Sequence, residues 1–264
     1  MNTNRIEEIY RFSENKFNDL YMYFLNHCGF QILSTKLCLG YDTYRIRDYK
    51  ELKEIKTKDN VKYPPSSSFY SRIGKPNQIW FYTSDDYNVP FAEMMPIWYS
   101  KINPGENIKI ILSIWHIRHE ITVLIIPDLK NINDVCKRLD LSAYYHDQKF
   151  WSFICNKFRT TTLEDKNIYE FTSAFSNVLM DRAKIEGKNV DGIFYPSVQY
   201  PLKSNLALYT SCIDNDKVVL KNLLKAEFNK SKILSYNGKP NYIQISDFEP
   251  GFYNPEKDTI SWTK

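Results

Sequence analysis

Glycine is scarce in this chain, with eight in 264 residues. Neither GxxxxGK[ST] nor GxGxxG occurs, so no loop of backbone N–H groups is available to cradle phosphates, and any phosphate must be held by side chains. Cysteine is also sparse. Cys28, Cys38, Cys136, Cys155 and Cys212 are odd in number, widely spread and form no CxxC pair, which predicts reduced thiols filling the core of a cytosolic protein. An excess of one charge is missing too: 35 Lys and Arg against 31 Asp and Glu give +4, short of the basic footprint of a dedicated nucleic-acid binder. The most apolar window, IKIILSIWHIRHEITVLIIP, is interrupted by His116, Arg118, His119 and Glu120. Its unbroken runs fall well below the roughly 20 residues that cross a bilayer, so no membrane partner is expected. MNTNRIEEIYRF lacks the basic, apolar, small-residue order of a secretion signal, and nothing directs export.

Two hydrolytic chemistries fall with further absences. HIRHE, at His116 to Glu120, is neither HExxH nor HxxEH, and on a strand His116 and His119 point to opposite faces, so no metal site is expected. YPSVQ around Ser197 lacks the glycines that flank a nucleophile elbow.

What is abundant is aromatic: 20 Tyr and 16 Phe help raise the ring content to 16%, enough to exclude disorder. Ile6 to Cys28 places apolar residues at three- and four-residue spacing, predicting an amphipathic helix with Gly29 as its C-cap. YDTYRIRDY then alternates Tyr44 and Ile46 with Arg45 and Arg47, a strand with one apolar and one cationic face. KTKDNVKYPPSSSFYSRIGKPN reads as a surface loop, and QIWFYTS as a strand. A helix follows, capped by Asn88, with Pro90 in its first turn and Pro96 keeping it short. NIKIILSIW and HEITVLIIP predict two long strands, antiparallel and close together. Thr162 to Glu186 is the clearest helix, capped by Thr162 and ended by Gly187. DGIFYPSV and SNLALYT are strands, and the last fifty or so residues alternate short strands with polar turns and one helix around Lys217 to Phe228. The sum is an α+β chain: a helical extension over residues 1–40, then one domain over 41–264.

Within it, Arg45 and Arg47 share a strand face, Arg72 closes the Pro/Ser loop, Tyr82 ends a strand, and Glu93 sits at the start of the helix after it. Taken singly these are surface arginines and a carboxylate favoured by a helix dipole. Their order adds more. Arg72, Tyr82 ten residues on, Glu93 eleven further, and Ser197 in DGIFYPSVQYPLKSNLALY resemble the RES domain, the family named for its Arg, Glu and Ser. TYRIR resembles the family's opening strand and SNLALY, with Asn205, its closing one, so the likeness spans about Tyr41 to Tyr209. The chain departs from the family around the arginine, where Ser71, Ile73 and Gly74 replace the usual glycine before it and Trp-Asn after it. The usual Asn-Pro after the serine is also missing.

The resemblance implies a fold similar to ADP-ribosyltransferases, two small, mainly antiparallel sheets around a cleft for NAD+. It also implies an activity that consumes NAD+ as substrate, with no further cofactor. Many relatives are toxins paired with a helix-turn-helix antitoxin; others transfer ADP-ribose to a protein, and an inactive module is the third alternative. Self-association is left open. Cleaving the nicotinamide–ribose bond passes through an oxocarbenium-like state that needs a fixed anion, for which Glu93 is the candidate. With no glycine loop, arginine forks at Arg72 and Arg45 suit the diphosphate, with Arg47 beside them. Tyr82 suits the nicotinamide ring. Ser197 and Asn205 suit either substrate hydroxyls or structural hydrogen bonds.

Overall fold

A computed structural model describes residues 2–50, 55–101, 103, 106–130, 137, 139–200, 202–236, 239–245 and 247–262. Helices α1 (Thr3–Phe12) and α2 (Lys16–His27) precede strands β1 (Ser34–Leu37), β2 (Asp42–Asp48) and β3 (Trp80–Ser84). Helix α3 (Asn88–Lys101), strands β4 (Asn107–Ile117) and β5 (Ile121–Ile125), and helices α4 (Ser142–Tyr145), α5 (Gln148–Arg159) and α6 (Ile168–Ile185) follow. Then come β6 (Gly192–Pro196), β7 (Ser204–Tyr209), α7 (Ser211–Asp214), β8 (Val218–Asn229), β9 (Ile233–Tyr236), β10 (Lys239–Ile243), β11 (Glu249–Asn254) and β12 (Thr259–Trp262). The fold is α+β with mainly antiparallel strands, as the sequence predicts. Among the described residues no helix is long and apolar enough to cross a membrane. The chain divides into two compact units, Met1–Leu37 with Pro64–Phe81 and Ile121–Thr210, and Cys38–Tyr63 with Tyr82–Glu120 and Ser211–Lys264.

In the first unit β1 pairs antiparallel with β5, β5 parallel with β6, and β6 antiparallel with β7. The core is aromatic. Phe24 meets Phe171 and Phe175 edge-on, and Phe30 packs on Phe150, Trp151 and Phe175, edge and offset geometries that rings favour. The single N-terminal helix expected from periodicity is two helices. The Ser13 N–H closes α1 on the Ile9 carbonyl (2.9 Å), and Ser13 Oγ then accepts from the Asn15 N–H (3.0 Å). Gly29 is not a left-handed cap, because α2 ends at an extended Cys28. Arg182 ends it instead, its Nη2 donating to the Phe24 and Leu25 carbonyls at 2.9 and 2.8 Å, which satisfies acceptors that a helix end leaves open. Helix α6 begins at Ile168 rather than Thr162, since Thr161 and Glu164 first close a separate turn. Gly187 does end it, with φ +70° and the Lys188 N–H reaching the Ala183 carbonyl (2.8 Å), as the Schellman motif requires.

In the second unit β2 lies between β3 and β4, β4 between β2 and β8, and β11 between β8 and β12; β9 and β10 form their own pair. The two strands expected to neighbour each other, β4 and β5, instead pair with β2 and β8 and with β1 and β6 respectively. Where a helix is expected over Lys217 to Phe228, the chain forms strand β8, Val218–Asn229. Its Leu, Lys and Ala favour helix, but eleven residues of β8 register against β4, with a bulge at Lys221, and ladder pairing outweighs a weak intrinsic preference. Buried positions at Leu220, Leu223 and Ala226 are spaced by three, which mimics helical period. Helix α3 runs through Pro96 to Lys101. Met95 and Trp98 on either side of Pro96 bury against Ile46, Leu112 and Phe228, each side chain of that size contributing about 1.5–3 kcal/mol, and Trp98 Nε1 donates to Asp48 Oδ1 (2.9 Å). Such packing tolerates one missing backbone bond. The capping side chain is Asp86, not Asn88: its Oδ1 accepts from the Asn88 N–H at 2.9 Å. Cys28, Cys155 and Cys212 are buried thiols as expected, Cys38 is exposed, and Cys136 lies outside the described residues.

Candidate functional site

Of the residues singled out by sequence, Arg45, Arg47, Tyr82 and Glu93 belong to the second unit and Arg72, Ser197 and Asn205 to the first. Strand β2 places Tyr44 and Ile46 towards the core under α3, with Arg45 and Arg47 alternating to the other face, as period two dictates. Arg45 is largely buried, and its Nη1 donates to the Tyr82 carbonyl at 2.7 Å. Burial, the larger cause, and the neighbouring Arg47 charge lower its pKa to about 10, so it remains a cation at neutral pH. The strand that carries Tyr82 is thus tied to β2 by a charged donor, a stronger bond than its neutral counterpart.

Arg47 turns to the first part of the Pro/Ser loop, where its Nη1 donates to the carbonyls of Asn60 (2.9 Å) and Lys62 (3.2 Å). Burial lowers its pKa as well. With Tyr49, Asn60, Val61 and Ile111 it lines a cavity of about 490 Å³. Glu93 stands in the second turn of α3, not its first, and that helix is fourteen residues long rather than short. The positive end of the dipole is strongest over the first turn, which Glu93 does not occupy.

In the first unit Arg72 is held on two sides. Its Nη1 donates to the Thr160 carbonyl at 2.8 Å, and its guanidinium carbon lies 4.9 Å from the centre of the Tyr169 ring, within cation–π range. The turn that carries it is pinned by Ser71, which exchanges bonds with Gly74. At Gly74 an added Cβ would come within 2.6 Å of the Trp80 ring, so the close approach of loop to indole requires glycine. Trp80 in turn stacks on Tyr209 at 4.6 Å.

Ser197 follows β6 and is buried; its N–H bonds to the Lys203 carbonyl (3.0 Å) and its Oγ accepts from the Tyr200 N–H (3.1 Å). The hydroxyl therefore shapes the β6–β7 connection. Asn205 lies directly opposite Tyr195 in the ladder, and Tyr195 reaches the Phe158 ring of α5 at 5.9 Å. Ser197 and Asn205 are thereby brought to the same end of the β6–β7 pair. Sequence reasoning missed Thr160 and Tyr169: the first acts through a backbone carbonyl, which no side-chain motif records, and the second is one tyrosine among twenty.

HIRHE resolves into separate environments. His116 on β4 faces Asp42 on β2, with Nδ1 2.7 Å from Oδ1, and Lys221 Nζ takes the other carboxylate oxygen at 2.8 Å. His119 lies beyond the end of β4. Among the described residues no group of three or more His, Cys, Asp or Glu is placed to hold a metal ion. No protein-family model matches the chain, and no curated protein matches it.

Proposed function

We propose that the chain is an NAD+-degrading, toxin-like enzyme of RES type, which cleaves the nicotinamide–ribose bond with water or phosphate as acceptor. The observation that carries this is the run Arg72, Tyr82, Glu93 and Ser197, distributed over a loop, strand β3, helix α3 and the end of β6. An ADP-ribosyltransferase-like arrangement of two small sheets about a cleft belongs to the same proposal. So do a cytoplasmic location and a helix-turn-helix protein that blocks the site.

The roles follow from charge and shape. Glu93 supplies the anion that stabilises positive charge developing on the ribose; nicotinamide departs as a neutral ring and needs no proton donor. Arg72 offers its remaining N–H groups to the diphosphate, the task a glycine-poor chain gives to a guanidinium. Arg45, committed to the Tyr82 carbonyl, fixes the strand from which the Tyr82 ring meets the nicotinamide. Ser197 organises the β6–β7 connection, and Asn205 stands near the start of β7, opposite Tyr195.

The test is product analysis by chromatography after incubation with NAD+, with and without phosphate. Free nicotinamide with ADP-ribose, or with its phosphorylated form, is the expected result. Glu93→Ala should lower turnover by at least about 10²-fold while circular dichroism stays unchanged. Intact NAD+ after prolonged incubation, or full turnover in that variant, overturns the proposal; label from NAD+ fixed on a protein would assign transfer instead.

A further inference from the structure

We propose that the connection between α5 and α6 is a clamp for Arg72, with Tyr169 and the Asp128–Arg159 ion pair as its positioning residues; this rests on the NAD+ reading for its purpose, not for its geometry. An arginine side chain has several rotatable bonds, and on a loop it spreads over many rotamers unless something removes them. Two restraints do so here. Thr160 at the C-terminal cap of α5 accepts one N–H of the fork, and Tyr169 in the first turn of α6 lies under its face. They occupy opposite ends of one short connection, so Arg72 is aimed only if that connection is itself fixed.

Three sets of bonds fix it. At its start, Arg159 pairs with Asp128, a buried carboxylate beyond β5 that also accepts the Lys130 N–H at 3.1 Å. Thr160 returns its Oγ1 to the Asn156 carbonyl at 2.9 Å, locking the last turn of α5. In the middle, Glu164 takes both the N–H and the hydroxyl of Thr161, at 2.7 and 2.9 Å, and Tyr10 of α1 donates to Asp165 at 2.6 Å. The Arg159–Asp128 and Tyr10–Asp165 bonds are charge-assisted and partly buried, and such bonds hold geometry better than the exposed ones made by Thr160, Thr161 and Glu164. Helix α1 thereby gains a part in the site without contributing a group to it.

The experiment compares Tyr169→Phe, Tyr169→Leu, Asp128→Asn and Arg72→Ala in the full chain. The first readout is the Arg72 side-chain N–H resonance in ¹⁵N-arginine-labelled protein, assigned by its loss in Arg72→Ala. The ring shift on that resonance should persist in Tyr169→Phe and vanish in Tyr169→Leu, and Asp128→Asn should broaden or move it. The second is NAD+ kinetics, in which Tyr169→Leu should raise KM about fivefold to tenfold with little change in kcat, and Tyr169→Phe should match the parent. An unmoved Arg72 resonance in Tyr169→Leu overturns the clamp whether or not NAD+ is consumed. Moved resonances in a protein that leaves NAD+ intact uphold the clamp and sink the NAD+ reading alone.

Discussion

Asp42 shows how one side chain orders its surroundings. Its carboxylate bridges His116 and Lys221 across three strands. Burial opposes its ionisation, but hydrogen bonds from Lys221 and His116 outweigh that, and its pKa falls below the ordinary carboxylate value. The linkage has a definite sign: a carboxyl whose folded-state pKa is depressed contributes stability that is complete above its unfolded pKa and lost as pH falls through the folded one. Asp42→Asn should therefore destabilise the protein at neutral pH, by less than about 1 kcal/mol for a partly exposed pair. The difference from the parent should shrink to nothing in acid. Urea midpoints measured at both ends of that range check it, and a gap of constant size would assign the loss to packing rather than charge. At this scale the sequence was informative about residue types and poor about partners. Alternation in YDTYRIRDY sorted Arg45 and Arg47 from Tyr44 and Ile46, whereas the carbonyls of Tyr82, Asn60 and Thr160 that receive the arginine N–H groups are invisible to any pattern of side chains.

Elements were legible where one period persisted and lost where tertiary bonds set the limits. Strands β2, β3, β6 and β7 stand where alternation and flanking breakers put them. Strand β8 was hidden because its bulge at Lys221 disrupts period two. Helix α2 is the instructive boundary, since glycine follows it but does not cap it. Arg182, more than 150 residues away in sequence, donates to two of its terminal carbonyls and lies 4.3 Å over the Phe30 ring. Arg182→Met keeps most of the aliphatic stem and removes the donors. Hydrogen bonds to a charged group contribute about 1.5–3 kcal/mol, so the variant should lose stability of that order. Its extra amide exchange should be concentrated in the last turn of α2. Faster exchange spread evenly over the first unit would mean that Arg182 acts through general packing instead.

The whole chain passes from one unit to the other five times, after Leu37, Tyr63, Phe81, Glu120 and Thr210. Each unit is therefore assembled from distant segments, and neither corresponds to a contiguous fragment that hydrophobic pattern or linker composition could have delimited. The N-terminal helices make the consequence testable. Ile6, Tyr10, Phe17, Leu20 and Phe24 are buried, and Phe24 covers the rings of Phe171 and Phe175 in α6. Removing residues 1–40 would bare the other side of those contacts. Five such side chains, at roughly 1.5–3 kcal/mol each, rival the whole net stability of about 5–15 kcal/mol that a domain has to spare. Fragment 41–264 should consequently fail to unfold cooperatively and should expose surface that binds a hydrophobic dye. Because Tyr10 also donates to Asp165, any fragment that does fold should show a mobile Arg72. A fragment with a sharp thermal transition and a parent-like Arg72 resonance would show that α6 keeps its place without α1 and α2, and would confine those helices to a role outside both the core and the clamp.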